Sequence, residues 1–199
     1  MSSIRELLRE GTREHHARAE ARLPLLDPAL DRDGYARALA ALLGFQRPLE
    51  AAMAGAPWDR VGLDWRAERP RAALLAADLA RLGWSAAAVA AIPECDAVPR
   101  PASLAAALGC AYVLEGSTLG GQLIRRHVER TLGILPDDGC SFFAAHGDAV
   151  GPMWRAFLIA LERGVEHEGC PPDEVLAAAR ETFDALAGWL GPAPVPVPA

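Results

Sequence analysis

The stretch from Leu104 to His127 limits what this chain can become more than any other segment. Most of it is apolar, so it belongs in a core, and its flanks suit a helix. Ser103 stands before it as a candidate N-cap, and Arg125, Arg126 and His127 suit a C-terminal turn. Yet Gly116, Gly120 and Gly121 sit in its middle, each costing about 1 kcal/mol against alanine in a helix interior. Gly116 and Gly120 are four apart and share one face. A bare backbone stripe of this kind serves close packing of two helices, a kink, or the approach of something flat to the main chain. Spacing alone leaves all three open.

Helical signals extend to both sides. Ser3 and Glu6 form a capping box that starts a helix running to about Arg22, before Pro24. Asp31 or Asp33 caps a second helix over Tyr35 to about Met53, with a kink or early end expected at Pro48. A loop with Trp58 and Trp65 follows, then a helix from Pro70 to Leu82 closed by Gly83. Ser85 caps a short helix to Ala91, and Pro93, Pro99 and Pro101 make an irregular connection. The glycine helix covers Ser103 to Thr131, and Gly133 to Cys140 is a turn. Ser141 or Asp148 caps the next helices, the longer reaching Glu166, and Asp173 caps a last one to Leu190. Strand-type alternation is nowhere sustained. The expectation is an all-α single domain over 1–190, followed by a disordered proline-rich tail over 191–199.

Composition removes several classes of function. With 199 residues the chain fits one domain with a sizeable core. A net charge of −6 argues against a nucleic-acid partner. No apolar run reaches transmembrane length, so no membrane partner is expected. Cys95, Cys110, Cys140 and Cys170 are scattered, with no C-x-x-C pair, and read as reduced thiols of a cytoplasmic protein rather than a zinc site. No histidine has a glutamate three positions before it, so the Glu-x-x-His pattern of di-iron bundles is absent. His127, His146 and His167 read as surface or capping residues, and Glu162, Arg163, Glu166 and Glu168 as a solvated face.

The first helix holds the densest chemistry. At about 100° per residue, Ile4, Leu7, Leu8, Gly11, His15 and Ala19 fall on one stripe, with Thr12 and His16 at its border. Arg9, Arg13 and Glu20 lie just beyond. Spacing makes His15 the more buried histidine and His16 the edge residue. This set suits a metal bound by one nitrogen of His16 while Glu20 holds the other, with Arg9 and Arg13 clamping carboxylates on a ligand. It also suits a solvated charged face that carries a surface histidine.

Thr12-Arg-Glu-His-His-Ala-Arg-Ala-Glu20 and Tyr112-Val-Leu-Glu-Gly-Ser-Thr-Leu-Gly-Gly-Gln122 together resemble the proximal and distal helix motifs of heme oxygenases. The second is most similar to the bacterial subgroup associated with bacteriophytochromes. The resemblance implies a multi-helix fold with heme between a proximal N-terminal helix and a kinked, Gly-rich distal helix. It makes His16 the axial ligand to heme iron and Glu20 the residue that hydrogen-bonds that ligand. Arg9 and Arg13, with Arg180 as a third, become partners of the heme propionates. Gly116, Gly120 and the adjoining Gly121 become the distal backbone over the heme. Where mammalian members carry an aspartate after the first distal glycine, this chain has Ser117, so distal water must be held differently, with Ser117 and Gln122 as candidates.

The implied activity is O2- and electron-dependent cleavage of heme to biliverdin, CO and ferrous iron, with heme both substrate and cofactor. Electrons would come from an external donor (ferredoxin, a reductase or ascorbate), since the chain has no flavin or nicotinamide fingerprint. A bacteriophytochrome is the implied consumer of the product. A non-catalytic heme carrier on the same scaffold is the rival reading.

Overall fold

Ser3 and Glu6 close their capping box: Glu6 N–H donates to Ser3 Oγ at 3.3 Å, and Ser3 N–H donates to Glu6 Oε2 at 3.1 Å. The computed structural model describes residues 3–191, so the tail from 192 onward lies outside the described residues. The single helix expected to Arg22 is divided at Thr12 into α1 (Ile4–Gly11) and α2 (Arg13–Ala21). Thr12 stands at the break. Its hydroxyl donates back to the Leu8 carbonyl at 2.7 Å beside its own N–H at 2.9 Å, a side-chain bond of the kind that loosens a helical ladder. The ladder resumes at once, with His16 N–H donating to Thr12 O at 2.8 Å.

Asp31 caps α3 (Arg32–Met53), taking the Gly34 N–H at 2.7 Å. The helix runs through Pro48 and does not end there. Proline has no N–H for the Gly44 carbonyl, and that carbonyl accepts the Cys95 N–H at 2.9 Å instead. A Cβ at Gly44 would stand 2.4 Å from the Pro93 carbonyl oxygen, so glycine is what lets the proline-rich connection dock there. The loop after α3 contains a 3-10 turn over Trp58–Val61 and a short α4 (Trp65–Glu68), with the two indoles stacked at 4.7 Å. Then come α5 (Ala72–Arg81), closed by Gly83 at φ 99°, and α6 (Ala86–Ala90), capped by Ser85.

The long helix α7 (Leu104–Leu132) is capped by Ser103, whose Oγ accepts the Ala106 N–H at 3.0 Å, and it is helical at every residue across its three glycines. Neither Ser141 nor Asp148 caps a helix. Ser141 N–H and Oγ–H donate to Asp78 at 2.9 and 2.6 Å, and Phe142 N–H donates to the same carboxylate at 2.8 Å. Buried Asp78 thereby pins the loop between α7 and α8 (Val150–Glu166) onto α5. The last helix, α9 (Pro172–Trp189), starts on Pro172 with Asp173 inside its first turn. Glu162 and Glu168, expected on a solvated face, pair with Arg5 and Arg60.

The core has two parts. One joins α1, α7, α8 and α9, and the other joins α3 and α5 to the Cys140–Phe143 loop. All four cysteines are buried, and burial pushes each thiol up, Cys110 to about 11. α7 comes close against α9 at Gly109, where a Cβ would stand 2.3 Å from the Val175 carbonyl oxygen. At Gly120 a Cβ would meet nothing within 4 Å. Alanine should therefore have opposite effects at the two sites in the ligand-free protein. Gly109→Ala overpacks and should cost ~1–3 kcal/mol, whereas Gly120→Ala should add up to about 1 kcal/mol of helix stability. Thermal or urea denaturation of the two variants measures both signs.

Candidate functional site

Two surfaces carry the residues singled out by the sequence. On the proximal side, α2 turns His16 outward, with 53% of its side chain exposed against 22% for His15. Glu20 Oε2 lies 3.4 Å from His16 Nδ1, one helical turn away, and the ring edge rests on Phe183 of α9 at 5.4 Å between centroids. Nε2 is thus the nitrogen left to a ligand. Arg9 and Arg13 are exposed, and Arg13 makes no ion pair among the described residues. Arg180, on α9, is tied to the proximal helix pair. Its Nε donates to the Gly11 carbonyl at 2.7 Å, taking an orphan acceptor at the end of α1.

On the distal side, Gly116 and Gly120 open away from the core. A Cβ at Gly116 would find only the Trp154 ring, at 3.9 Å, and at Gly120 nothing within 4 Å. Leu119 and Leu123 flank them on the same face and are 46% and 58% exposed. Large apolar side chains thus stand exposed beside bare backbone, on a helix whose first half is largely buried. Gly121, expected with them, faces elsewhere: a Cβ there would stand 3.2 Å from the Phe143 carbonyl oxygen, against the α7–α8 loop. The two sides meet at Tyr112, one turn before Gly116. Burial pushes its hydroxyl up, with Thr12 and Arg9 close enough to oppose the shift. His16 lies one turn beyond Thr12.

Behind the distal face is a buried polar cluster. Arg69 is ion-paired with Glu115, and Arg71 Nη2 donates to the Leu114 carbonyl at 2.6 Å and to Ser117 Oγ at 3.3 Å. Burial pushes the Glu115 carboxyl up while Arg69 and Arg71 pull it back. Glu50 anchors the Arg71 backbone N–H at 2.7 Å. Among the described residues, no group of three His, Cys, Asp or Glu side chains converges to hold a metal ion by itself.

The family model described as heme oxygenase matches residues 2–190. The chain belongs to the heme oxygenase family. It is 33% identical over 179 residues to heme oxygenase PigA of Pseudomonas aeruginosa, covering 88% of this chain and 83% of that one. It is 33% identical over 154 residues to a heme oxygenase of Xanthomonas campestris, covering 75% and 84%. In fold it is similar to the heme oxygenase of Neisseria meningitidis, solved with NO and CO bound, at a TM-score of 0.78 and 22% identity, with 98% of each chain covered. A heme oxygenase from Leptospira interrogans follows at 0.68 and 20%, with 95% of this chain and 98% of that one covered. The all-α heme oxygenase fold is therefore the fold of this chain, and its class is that of a heme-degrading oxidoreductase. No helix among the described residues is long and apolar enough to cross a membrane.

For a heme oxygenase, the residues hardest to see in the sequence are those of the buried cluster. Arg71 lies 46 positions before Ser117 and follows a proline in a charged loop, so nothing in its context announces burial. His146, expected as a surface or capping residue, stands at the N-cap position of a 3-10 turn over Gly147–Ala149 at φ 66°, half-buried and with its Nε2 shut from solvent. His127, expected likewise, is buried, its Nε2 3.0 Å from the Asp27 carbonyl oxygen. Burial first, and then the Arg71 and Arg69 charges, hold the His146 imidazole below its ordinary 6.5. The unfolded chain consequently takes up a proton that the folded chain refuses. Stability should be intact above about pH 6.5 and fall below it. His146→Asn keeps a residue tolerant of a left-handed backbone and should flatten that part of the profile in thermal melts at neutral and mildly acidic pH.

Proposed function

We propose that this chain binds heme between α1–α2 and the Gly116–Gly120 face of α7, and opens the ring to biliverdin, CO and ferrous iron. The observation that carries this reading is the open distal face. The two glycines of α7 are not used for helix packing, and exposed Leu119 and Leu123 lie beside them. A flat apolar ligand is the partner such a surface fits.

The residues present suit heme. His16 would offer Nε2 to the iron while Glu20 holds the Nδ1 side and so sets the tautomer and ring plane. Arg9 and Arg13 would clamp the propionates. Bound heme supplies the iron at which O2 is activated. The chain's own part is orientation. Glycine backbone admits the ring plane close to α7, Leu119 and Leu123 shed water from it, and Ser117 presents a hydroxyl where an acid would be a stronger proton donor. O2 and electrons come from outside, the latter from a ferredoxin, a reductase or ascorbate. We place the reaction in the cytoplasm and take a bacteriophytochrome as the consumer of biliverdin, on the likeness of the Gly116–Gly120 motif to that subgroup.

Heme titration followed by ascorbate and O2 tests the proposal. Loss of the Soret band with growth of biliverdin absorbance is the expected result. Stable heme binding without ring opening would make the chain a carrier, and no binding would overturn both readings. Replacing Arg9 and Arg13 together with glutamate should weaken heme affinity at least several-fold or change the biliverdin isomer, measured by titration and by chromatography of the product. Unchanged affinity with an unchanged isomer removes both arginines from the site.

A further inference from the structure

We infer that Phe183 on α9 is a positioning residue for the axial ligand, holding the plane of the His16 imidazole before and after heme is bound. The inference rests on the reading above, in which His16 Nε2 faces the iron.

One face of α9 frames the proximal helices. Arg180, Phe183 and Asp184 stand three and four apart and so share that face. Arg180 donates to the Gly11 carbonyl at the end of α1, and Asp184 holds His15 and Arg18 of α2. The backbone under His16 is thereby fixed on both sides of the Thr12 break. Only the side-chain torsions of His16 remain to decide where its ring points.

Glu20 cannot decide them alone. Its Oε2 is 3.4 Å from His16 Nδ1, and 70% of its side chain is in solvent. That separation lies beyond the roughly 2.7–3.2 Å of a firm N–H···O bond. A pair so exposed is weak and opens readily. Glu20 selects the tautomer, but a ring plane held by it alone would drift.

Phe183 supplies the missing rigidity. It is 6% exposed and packed in the core that joins α1, α7, α8 and α9, so its own ring has little room to move. The two rings meet at 5.4 Å between centroids and 88° between planes, an edge-to-face contact. Turning the imidazole about its Cβ–Cγ bond either breaks this contact or presses the ring against a neighbour with nowhere to go. A ligand whose plane is already chosen loses less freedom when heme binds.

Carbon-13 relaxation of the His16 ring in the heme-free protein reads the first half of the inference. The ring should be ordered in the unsubstituted protein, in Phe183→Tyr and in Glu20→Ala, and mobile in Phe183→Leu. The ferric heme–cyanide complex reads the second half, because the spread of its paramagnetically shifted heme methyl resonances follows the imidazole plane. Phe183→Leu should keep His16 ligation and contract that spread, whereas Phe183→Tyr should preserve it. A ring already mobile in the unsubstituted protein overturns the inference. So does a ring that stays ordered in Phe183→Leu, or a methyl spread that does not change. An equal loss in Phe183→Tyr also overturns it, since the effect would then come from a disturbed core. Should Phe183→Leu fail to fold, Glu20→Ala decides: an ordered ring leaves Phe183 as its holder, and a mobile ring makes Glu20 the holder instead. Failure of the unsubstituted protein to bind heme is a different result, since it removes the heme site and leaves the heme-free measurement standing.

Discussion

Replacing His16 with alanine should abolish both the imidazole-ligated heme spectrum and biliverdin formation, while His15→Ala keeps both. The two histidines are adjacent, but α2 gives them different neighbours. His16 stands out with Nε2 unengaged, Glu20 at its other nitrogen and Phe183 against its edge. His15 Nδ1 lies 2.8 Å from Asp184, whose carboxylate also takes Arg18 at 2.6 Å, so this imidazole is used to hold α2 against α9. The apolar stripe of the sequence casts His15 as a core residue, yet the structure finds it in a half-buried ionic cluster. Its loss should accordingly cost no more than ~1 kcal/mol, as partly exposed pairs do. Added imidazole should restore the ligated spectrum to His16→Ala, because truncation leaves room at an exposed position. If His15→Ala loses the ligand and His16→Ala retains it, the two roles are reversed.

Gly120→Leu should leave His16 ligation intact and divert the chemistry. With open space at the Gly120 Cβ position, the new side chain meets no protein atom within 4 Å at its root and extends over the distal face. The fold should therefore tolerate it, and the melting temperature of the ligand-free protein should not fall. What it displaces is water and oxygen above the heme, so biliverdin per bound heme should drop while peroxidase-type oxidation of added reductants rises. If these glycines only permitted helix packing, the variant would melt earlier by the ~1–3 kcal/mol of an overpacked contact and still produce biliverdin at the normal yield per heme. Melting temperature and yield on one sample separate the cases.

Most of the fold was readable in the sequence because its helices begin and end on local chemistry. Ser3, Asp31, Ser85 and Ser103 cap as their spacing suggests, and Gly83 and Gly133 end helices with positive φ. The misses have a common cause. Pro48 fails to break the third helix and Ser141 caps nothing, because each is decided by a partner that spacing cannot supply, the Cys95 amide and Asp78. The site divides along the same line. The spacing of motif residues that share one helix face, His16 with Glu20 and Gly116 with Gly120, was legible, and the proposed site rests on it. The burial of Arg71 and of His146 Nε2 was not, since it comes only through tertiary contact. Gly121 sits beside Gly120 in the chain but turns toward a loop in space.

The burial of the four cysteines has a chemical consequence for a protein that brings O2 and electrons together. Peroxide and electrophiles attack thiolates, and a thiol raised well above neutrality and shut away from solvent presents almost none. Cys110, at about 11 and with no exposed surface, is the extreme case. Partially reduced oxygen released during turnover would meet no exposed thiol on the folded chain. Any thiol that does react with a labelling reagent reports a molecule that has already opened.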